Sequence, residues 1–301
     1  MAESKSGGDS GFGFLIAFFG ILFLMWSVNG GMSGANRNPD GSYKAPSTIE
    51  GISSEVNRIS NETTELKKAT AESTATGPLS SLNKYMTLYQ GGIGIDNPRD
   101  EYVTLHLASD APNRVLITGM QIKSAPTGRG STLPRAVYRP DFGRINYDDP
   151  VYLQPGDTAY ITTGTSPVGY SFRVNKCTGY FNQSASFNPP LPYECPRASD
   201  EDLPTIGANY RNACLNYIES IGTCTMPLND VPNDLGPECT SYVATKINYN
   251  TCVENHKLDA DFYKPEWRLY LKQPENLWQN QRELVKVIDL SGNTAAYFKT
   301  Y

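Results

Sequence analysis

Residues 151–164 read VYLQPGDTAYITTG, in which two short runs of alternating apolar and polar residues flank Pro155-Gly156. Alternation with a period of two is typical of half-buried β-strands. Proline fixes φ at the second position of a type II turn, and glycine accepts a positive φ at the third. The stretch therefore predicts either a hairpin or a strand that enters a corner, within a mainly β protein.

The same alternation recurs on both sides of that stretch. Before it, residues 101–107 (EYVTLHL) and 114–123 (RVLITGMQIK) are expected to be strands, the second with a bulge or a point of close backbone approach at Gly119. The remaining strands are expected at 171–174, 267–271, 283–290 and 294–301. The simplest architecture is a β-sandwich of about seven strands.

Composition excludes several classes of function. The chain has 301 residues with 26 Lys and Arg against 31 Asp and Glu, and this net charge of −5 argues against a nucleic-acid partner. Its only two histidines, His106 and His256, lie far apart, which disfavours hydrolytic and zinc chemistry. The sequence therefore predicts no enzymatic activity, no catalytic or metal-binding residue and no cofactor.

Residues 12–28 read FGFLIAFFGILFLMWSV, inside a stretch from Ser10 to Asn36 that holds no charged residue. At about 1.5 Å per residue, a helix of this length approaches the thickness of the hydrocarbon core of a bilayer. Trp26 lies near one end, where aromatic belts sit. A buried core helix would have amphipathic partners beside it, whereas the flanks here are Gly, Ser and Asn. The run predicts a single-pass transmembrane helix in contact with membrane lipid.

A cleavable signal peptide is the alternative, because Ser33-Gly34-Ala35 has the small-x-small pattern of a cleavage site. The leader carries only Lys5 against Glu3 and Asp9, which favours an anchor that is not cleaved.

The cysteines indicate the orientation. An even number in one compact segment predicts disulfides, which persist outside the cytoplasm. A zinc site is the rival interpretation, but the segment has no C-x-x-C pair and only His256 as an imidazole. We therefore expect a cell-membrane protein with a cytoplasmic N-terminus and an extracellular C-terminal domain. The six disulfide cysteines would be Cys177, Cys195, Cys214, Cys224, Cys239 and Cys252.

A spacer and a stalk are expected after the anchor. Residues 29–47 are rich in Gly, Asn, Ser and Pro, as flexible linkers are. Apolar residues then recur at the spacings of a coiled-coil seam, at Ile49, Ile52, Val56, Ile59, Thr63 and Leu66. Fewer than three heptads are present, so a single amphipathic helix on the domain or a marginal helix in solution are the alternatives. The pattern predicts a helical stalk over 48–73, with self-association as a hypothesis.

Two further helices are expected between the strands, over 205–221 and 239–256, where apolar residues recur at spacings of three and four. The Pro- and Gly-containing link between them predicts an αα-hairpin. Residues with a common midpoint meet in an antiparallel hairpin, although six cysteines allow fifteen connectivities and geometry must decide. The pairing expected from this hairpin is Cys214 with Cys252, Cys224 with Cys239 and, by remainder, Cys177 with Cys195.

The expected organisation follows chain order. It is a cytoplasmic tail (1–11), a transmembrane anchor (12–28), a linker (29–47), a stalk (48–73), a first sandwich part (79–177), a cysteine-rich helical insertion (178–262) and closing sandwich strands (263–301).

Four stretches together resemble the lamin tail domain, which is an immunoglobulin-like β-sandwich. They are DEYVTLHL (100–107), VLITGMQIKS (115–124), VYLQPGDTAYITTG (151–164) and ELVKVIDLSGNTAAYFKTY (283–301). SPVGYSFRVNKCTGYFNQ (166–183) and WRLYL (267–271) resemble cysteine-bearing, membrane-anchored bacterial versions of that domain. Met120 stands where the family usually has Trp. The resemblance implies a scaffold for protein interaction and supplies no catalytic residue.

Two sets of side chains leave alternatives open. Acidic residues would ligate calcium if two loops meet at one end of the sandwich, and are otherwise solvated carboxylates: Asp96, Asp100, Glu101, Asp148 and Asp149. Tyrosines would form a contact patch for a glycan or a protein, or else lie half-buried in strands: Tyr138, Tyr147, Tyr152 and Tyr170.

The sequence thus predicts a membrane-anchored, exported structural or adhesive envelope protein that acts as a protein-interaction module. The alternatives are a non-catalytic accessory subunit of an envelope or secretion complex, and a carbohydrate-binding surface module. The sequence does not identify the partner, which would be an envelope protein or a glycan, with a homo-oligomer through the stalk as a further hypothesis.

Overall fold

A computed structural model of the chain describes residues 49–228 and 231–301. The tail, the anchor and the linker expected within residues 1–47 lie outside these residues. None of the helices in the described ranges is both long and apolar enough to cross a bilayer. The chain divides into two units, residues 1–70 and 71–301.

Helix α1 (Ile49–Thr76) occupies the stretch for which a stalk was predicted. Arg58 pairs with Glu55 and Glu62 at 2.6 Å each, one turn away in either direction. These pairs are exposed to solvent and stabilise the helix only slightly. Val56, Ile59 and Leu66 of the predicted seam are 58%, 51% and 67% exposed.

The second unit contains eleven strands among its described residues. They are β1 (Met86–Gln90), β2 (Tyr102–Leu107), β3 (Val115–Leu116), β4 (Gln121–Ser124), β5 (Gly130–Thr132), β6 (Tyr152–Leu153), β7 (Thr158–Thr162), β8 (Phe172–Asn175), β9 (Tyr263–Tyr270), β10 (Leu284–Ile288) and β11 (Thr294–Lys299). Short 3-10 helices occur at Ser81–Lys84, Thr178–Gln183, Ala198–Asp200 and Asn233–Leu235.

These strands form three sheets, so the fold is mixed and sheet-rich. A five-stranded sheet has the order β1-β2-β7-β9-β8, a four-stranded sheet the order β11-β10-β4-β5, and β3 pairs with β6. All pairings are antiparallel except that of β7 with β9, which is parallel. Alternating burial along β2 places Val103, Leu105 and Leu107 inward. Side chains from all three sheets meet in one apolar core, which also holds Met120.

The Pro-Gly stretch forms a corner and not a hairpin. The backbone N–H of Asp157 donates to the carbonyl of Gln154 at 2.9 Å, and Gly156 has a φ of +90°. The strands on either side join different sheets, since β6 pairs with β3 while β7 pairs with β2 and β9. Gly119, expected to be a bulge, also has a φ of +90° and separates β3 from β4, so the single strand predicted over 114–123 is two.

The chain enters the second unit at the edge strand β11. The backbone N–H of Thr294 donates to the carbonyl of Pro78 at 2.8 Å, and that of Ser80 donates to the carbonyl of Thr294 at 2.9 Å. The hydroxyl of Thr294 donates to the carbonyl of Thr76 at 2.6 Å. These bonds fix residues 76–80 to β11, the last strand of the chain.

Residues 176–262, here called the insertion, leave and return at one point. Asn175 at the end of β8 pairs with Tyr263 at the start of β9, and Lys176 N–H donates to the Phe262 carbonyl at 2.8 Å. The insertion contains α2 (Arg211–Ser220), α3 (Pro237–Lys246) and α4 (Tyr249–His256). The helix predicted over 239–256 is therefore broken, because Asn248 caps α4 by accepting from Thr251 N–H at 3.0 Å.

The predicted disulfide pairing was wrong, although all six cysteines are bonded. The bonds join Cys177 with Cys252, Cys195 with Cys224 and Cys214 with Cys239. The error came from treating 205–256 as one hairpin of two helices. Cys214 and Cys239 instead lie in the first turns of α2 and α3, Cys224 lies beyond the end of α2, and Cys252 belongs to the separate helix α4.

Tryptic digestion of the non-reduced protein separates the two pairings. Cleavage after Lys176, Arg197, Arg211, Lys246 and Lys257 gives three cysteine-bearing peptides, 177–197, 212–246 and 247–257. The structure predicts that mass spectrometry will find all three joined in one species that reduction separates. Peptide 177–197 released alone, with an internal bond, would contradict the structure.

Candidate functional site

The insertion contains a polar cleft of about 360 Å³. One wall is the segment after Cys195, which includes the 3-10 helix Ala198–Asp200, and the other is formed by α3 and α4. Several side chains that line the cleft can form hydrogen bonds or ion pairs, among them Tyr180, Glu201, Asp202, Tyr242, Lys246 and Asn255.

Disulfides anchor each of the two walls to other parts of the insertion. Cys252 lines the cleft and is bonded to Cys177, which directly precedes the 3-10 helix that carries Tyr180. Cys195 is bonded to Cys224 and lies directly before the opposite wall. An aromatic cluster beneath them contains Phe172, Phe181 and Tyr249. Because these bonds constrain both walls, the cleft is a preformed feature of the insertion.

His256, at the end of α4, joins the walls through Glu201 and also contacts Asp259. Its Nε2 lies 2.7 Å from Glu201 Oε1, and its Nδ1 lies 2.8 Å from Asp259 Oδ2. A neutral imidazole has one N–H, so only the protonated ring donates to both carboxylates at once. Lys176 Nζ continues the network to Asp259 at 2.9 Å and to Asp261 at 2.6 Å.

Contacts within this network shift the pKa values of His256 and Asp259. Burial alone would lower the pKa of His256, but the hydrogen bonds and charges of Glu201 and Asp259 outweigh it, and the pKa is raised above its ordinary value. The hydrogen bond from Lys176, and then that from His256, hold the pKa of Asp259 below its usual range. Glu201 also accepts from Asn255 Nδ2 at 2.6 Å. The wall that carries Glu201 is thus tied to α4 by a charged histidine.

Two tyrosine hydroxyls enter the same cleft. Burial, followed by the charge of Glu201, raises the pKa of Tyr180 to about 12. Burial and the charges of Glu201 and Asp202 raise the pKa of Tyr242. Both hydroxyls are therefore neutral at physiological pH. Tyr180 is only 5% exposed, and its hydroxyl makes no hydrogen bond to any residue in the described ranges.

The cleft offers hydrogen-bonding groups but no activated nucleophile among the described residues. Both nitrogens of His256 face carboxylates, so neither is available to activate a hydroxyl. Every cysteine is oxidised. The other histidine, His106, lies on β2 with Nδ1 at 3.1 Å from Thr158 Oγ1.

A second surface lies beside the insertion, on residues 139–149, here called the exposed loop. Asn250 of α4 holds it by accepting from Phe142 N–H at 3.2 Å and donating to the Phe142 carbonyl at 2.9 Å. The Phe142 ring packs edge-on against Phe181 at 4.9 Å between centroids. Ile145 and Tyr147 are 79% and 77% exposed. The loop therefore presents two large side chains to solvent from a fixed base.

The predicted tyrosine patch is dispersed among different contacts. Tyr138 accepts from Arg173 Nη1 at 2.6 Å, and Arg114 lies over the Tyr152 ring. The Tyr170 hydroxyl is buried without a hydrogen bond. Only Tyr147 is fully presented to solvent.

The acidic residues considered for calcium also have other contacts. Glu101 is fully buried and accepts from the backbone N–H groups of Leu277 and Trp278 at 2.8 and 3.2 Å. Asp148 and Asp149 each lie 3.8 Å from Arg135. No group of three metal-ligating side chains occurs in residues 49–228 and 231–301.

Sequence reasoning missed most of the cleft. His256 and Asp259 stand three residues apart, a spacing that signals a contact at a helix end. Glu201, Tyr180 and Tyr242 carry no comparable signal, because the disulfide-bonded fold brings them together from distant parts of the chain.

No family model, curated protein or solved structure matches this chain.

We expect His256 to give the insertion a pH-dependent stability. Its folded-state pKa is raised, so its contribution is complete below the unfolded value of about 6.5 and is lost as pH rises through the folded value. The gap in melting temperature between wild type and His256→Gln should therefore be largest in mild acid and shrink toward alkaline pH.

Lys246→Gln is the control, because Lys246 is exposed and forms no ion pair within the described ranges. Its effect on the melting temperature should not vary over the same pH window. A His256→Gln gap that is constant, or that grows with pH, would contradict the charged bridge.

Proposed function

We propose that this protein is a non-catalytic, membrane-anchored component of the cell envelope whose exported domain binds another protein. Residues 12–28 would provide the anchor. Three disulfides support export, because such bonds persist in oxidising compartments. All three bonds lie within the insertion. Their location supports the insertion and the exposed loop beside it as the part of the domain that binds the partner.

The fold proposed for the domain is an immunoglobulin-like sandwich of the lamin tail type. The stretches that carry the resemblance coincide with β2, β4, β7, β10 and β11. The two larger sheets share one apolar core, as the two sheets of a sandwich do. This supports a scaffold role, since such a core leaves surface loops to carry the binding.

The observation that carries the proposal is the exposed loop. Ile145 and Tyr147 form its apolar centre, and ion pairs within the surrounding surface include Arg144 with Asp141 at 3.6 Å and Arg135 with Asp148 at 3.8 Å. An apolar, aromatic centre with a charged rim is the anatomy of a protein–protein interface. Asn250 fixes the loop before binding, which reduces the entropy cost of association.

Site-specific photocrosslinking on intact cells tests this surface. A photoreactive amino acid in place of Tyr147, in the full chain, should give a discrete protein adduct. The added substitution Ile145→Asp should reduce its yield about tenfold, as loss of an interface hot spot does. The matched control is the same probe at Tyr89, which is 52% exposed on β1. Equal adducts at both positions, or none at Tyr147, would reject the loop as the interface.

Helix α1 adds a second element to the proposal, which is clustering of the protein through its own copies. Val56, Ile59 and Leu66 follow the a/d spacing and are more than half exposed. A second copy supplies a seam of identical spacing, so a coiled coil would bury these side chains. Clustering would raise the avidity of weakly binding domains by roughly 10²-fold or more where the linkers let several domains bind at once.

Light scattering of the detergent-purified full chain tests the seam. Val56→Asp with Ile59→Asp should convert an oligomer to a monomer, because buried carboxylates oppose association. Asn57→Asp with Asn61→Asp is the control, since it adds the same charge to the helix outside the seam. A monomeric wild type, or equal effects of both double variants, would remove α1 as a clustering element.

A further inference from the structure

The cleft of the insertion has properties that a passive surface crevice does not need. Tyr180 is more than nine-tenths buried, yet its hydroxyl lines the cleft and makes no hydrogen bond to any described residue. This hydroxyl is not among the fully buried hydroxyls that lack a hydrogen bond, so it is the part of the nearly buried side chain that stays accessible to a ligand.

Of the two carboxylates that line the cleft, Glu201 is paired with His256, whereas Asp202 has no cation partner among the described residues. Asp202 is exposed and forms no ion pair in the described ranges, and Glu201 lies on the same wall. The charges of these carboxylates contribute to the raised pKa of Tyr242, as does that of Glu201 at Tyr180. Lys246 lines the cleft but forms no ion pair with either carboxylate, so it does not neutralise them by direct contact.

The acceptors available in the cleft suit a primary ammonium group. Such a group has three N–H donors and no acceptor. Asp202 offers a free carboxylate and Tyr180 a hydroxyl oxygen. Asn255 donates through Nδ2 to Glu201, which leaves its carbonyl oxygen unused. The rings of Tyr180 and Tyr242 add aromatic surface, which attracts cations.

We infer that the cleft binds the protonated amine of a lysine side chain on the partner protein. This inference rests on the proposed function, because it assumes a protein partner, and it assigns that partner a basic contact in addition to the apolar contact at the exposed loop. A neutral glycan would gain no charge pairing from the unpaired carboxylate of Asp202, which is why the amine is favoured over a sugar.

Isothermal titration of the purified full chain with three probes tests the inference. They are the peptide acetyl-Gly-Lys-Gly-amide, the same peptide with an acetylated lysine side chain, and methyl β-glucoside. The free lysine peptide should bind, and added salt should weaken it because the contact is charged. The other two should not bind.

Two variants and one control connect binding to the cleft. Tyr180→Phe and Asp202→Asn should each weaken the lysine peptide about threefold or more, as loss of one hydrogen bond or one exposed charge does. Asp110→Asn removes an exposed carboxylate from the β-sheet unit and should have no effect. Near-ultraviolet circular dichroism verifies that each variant is folded, and Asp202→Asn is a solvent-exposed change that leaves the core intact.

Equal binding of the free and acetylated peptides, or no binding of the free peptide at millimolar concentration, would overturn the inference. Salt-independent binding of the glucoside would overturn it as well and assign the cleft to a glycan. If the titration gives any of these results but photocrosslinking at Tyr147 still gives the protein adduct, the lysine contact is rejected and the protein-binding function is retained. Loss of the Tyr147 adduct alone would instead reject the proposed interface.

Discussion

Parallel pairing of β7 with β9 is the constraint on which the rest of the domain depends. Ile161 lies beside Leu269 in this pair, and both are fully buried in the core. Parallel neighbours cannot be joined by a tight turn and need a crossover. The chain between them forms β8 and the whole insertion, and β8 then lies antiparallel on the other side of β9. The cleft is therefore built into the connection that the central sheet requires.

Two buried carboxylates, Glu101 and Glu283, form hydrogen bonds with the segment between β9 and β10. Glu101 accepts from Leu277 and Trp278 N–H groups, and Glu283 accepts from the Gln279 N–H at 2.8 Å and from the Ser124 hydroxyl at 2.8 Å. Both side chains are fully buried. Hydrogen bonds to a charged acceptor are stronger than neutral ones, so these two residues fix the irregular segment between β9 and β10. The charge of Glu101, considered for calcium, is thus satisfied by backbone amides.

Local patterns predicted the features that local physics controls. Alternation located most strands, the Pro155-Gly156 turn has the expected geometry, and the even cysteine count indicated oxidation. The disulfide partners were not predictable, because they depend on where helices end. Asn248 caps the start of α4 and donates through Nδ2 to the Thr245 carbonyl in the last turn of α3, a break that apolar spacing does not reveal. The contact between Glu201 and His256 was hidden for a similar reason, since 55 residues separate the two in sequence.

The places where the chain enters the domain and where the insertion leaves it determine which contacts would carry a mechanical force. The chain enters where Thr76 and Pro78 bond to Thr294, next to β1, and the insertion leaves from β8. In the five-stranded sheet, β1 and β8 are opposite edges. A force applied between Thr76 and the insertion would therefore act at β11, an edge of the four-stranded sheet, and at β8, an edge of the five-stranded sheet. Three disulfides reinforce the insertion, whereas the strands are joined by hydrogen bonds and packing, so strand pairing would yield before the insertion under force.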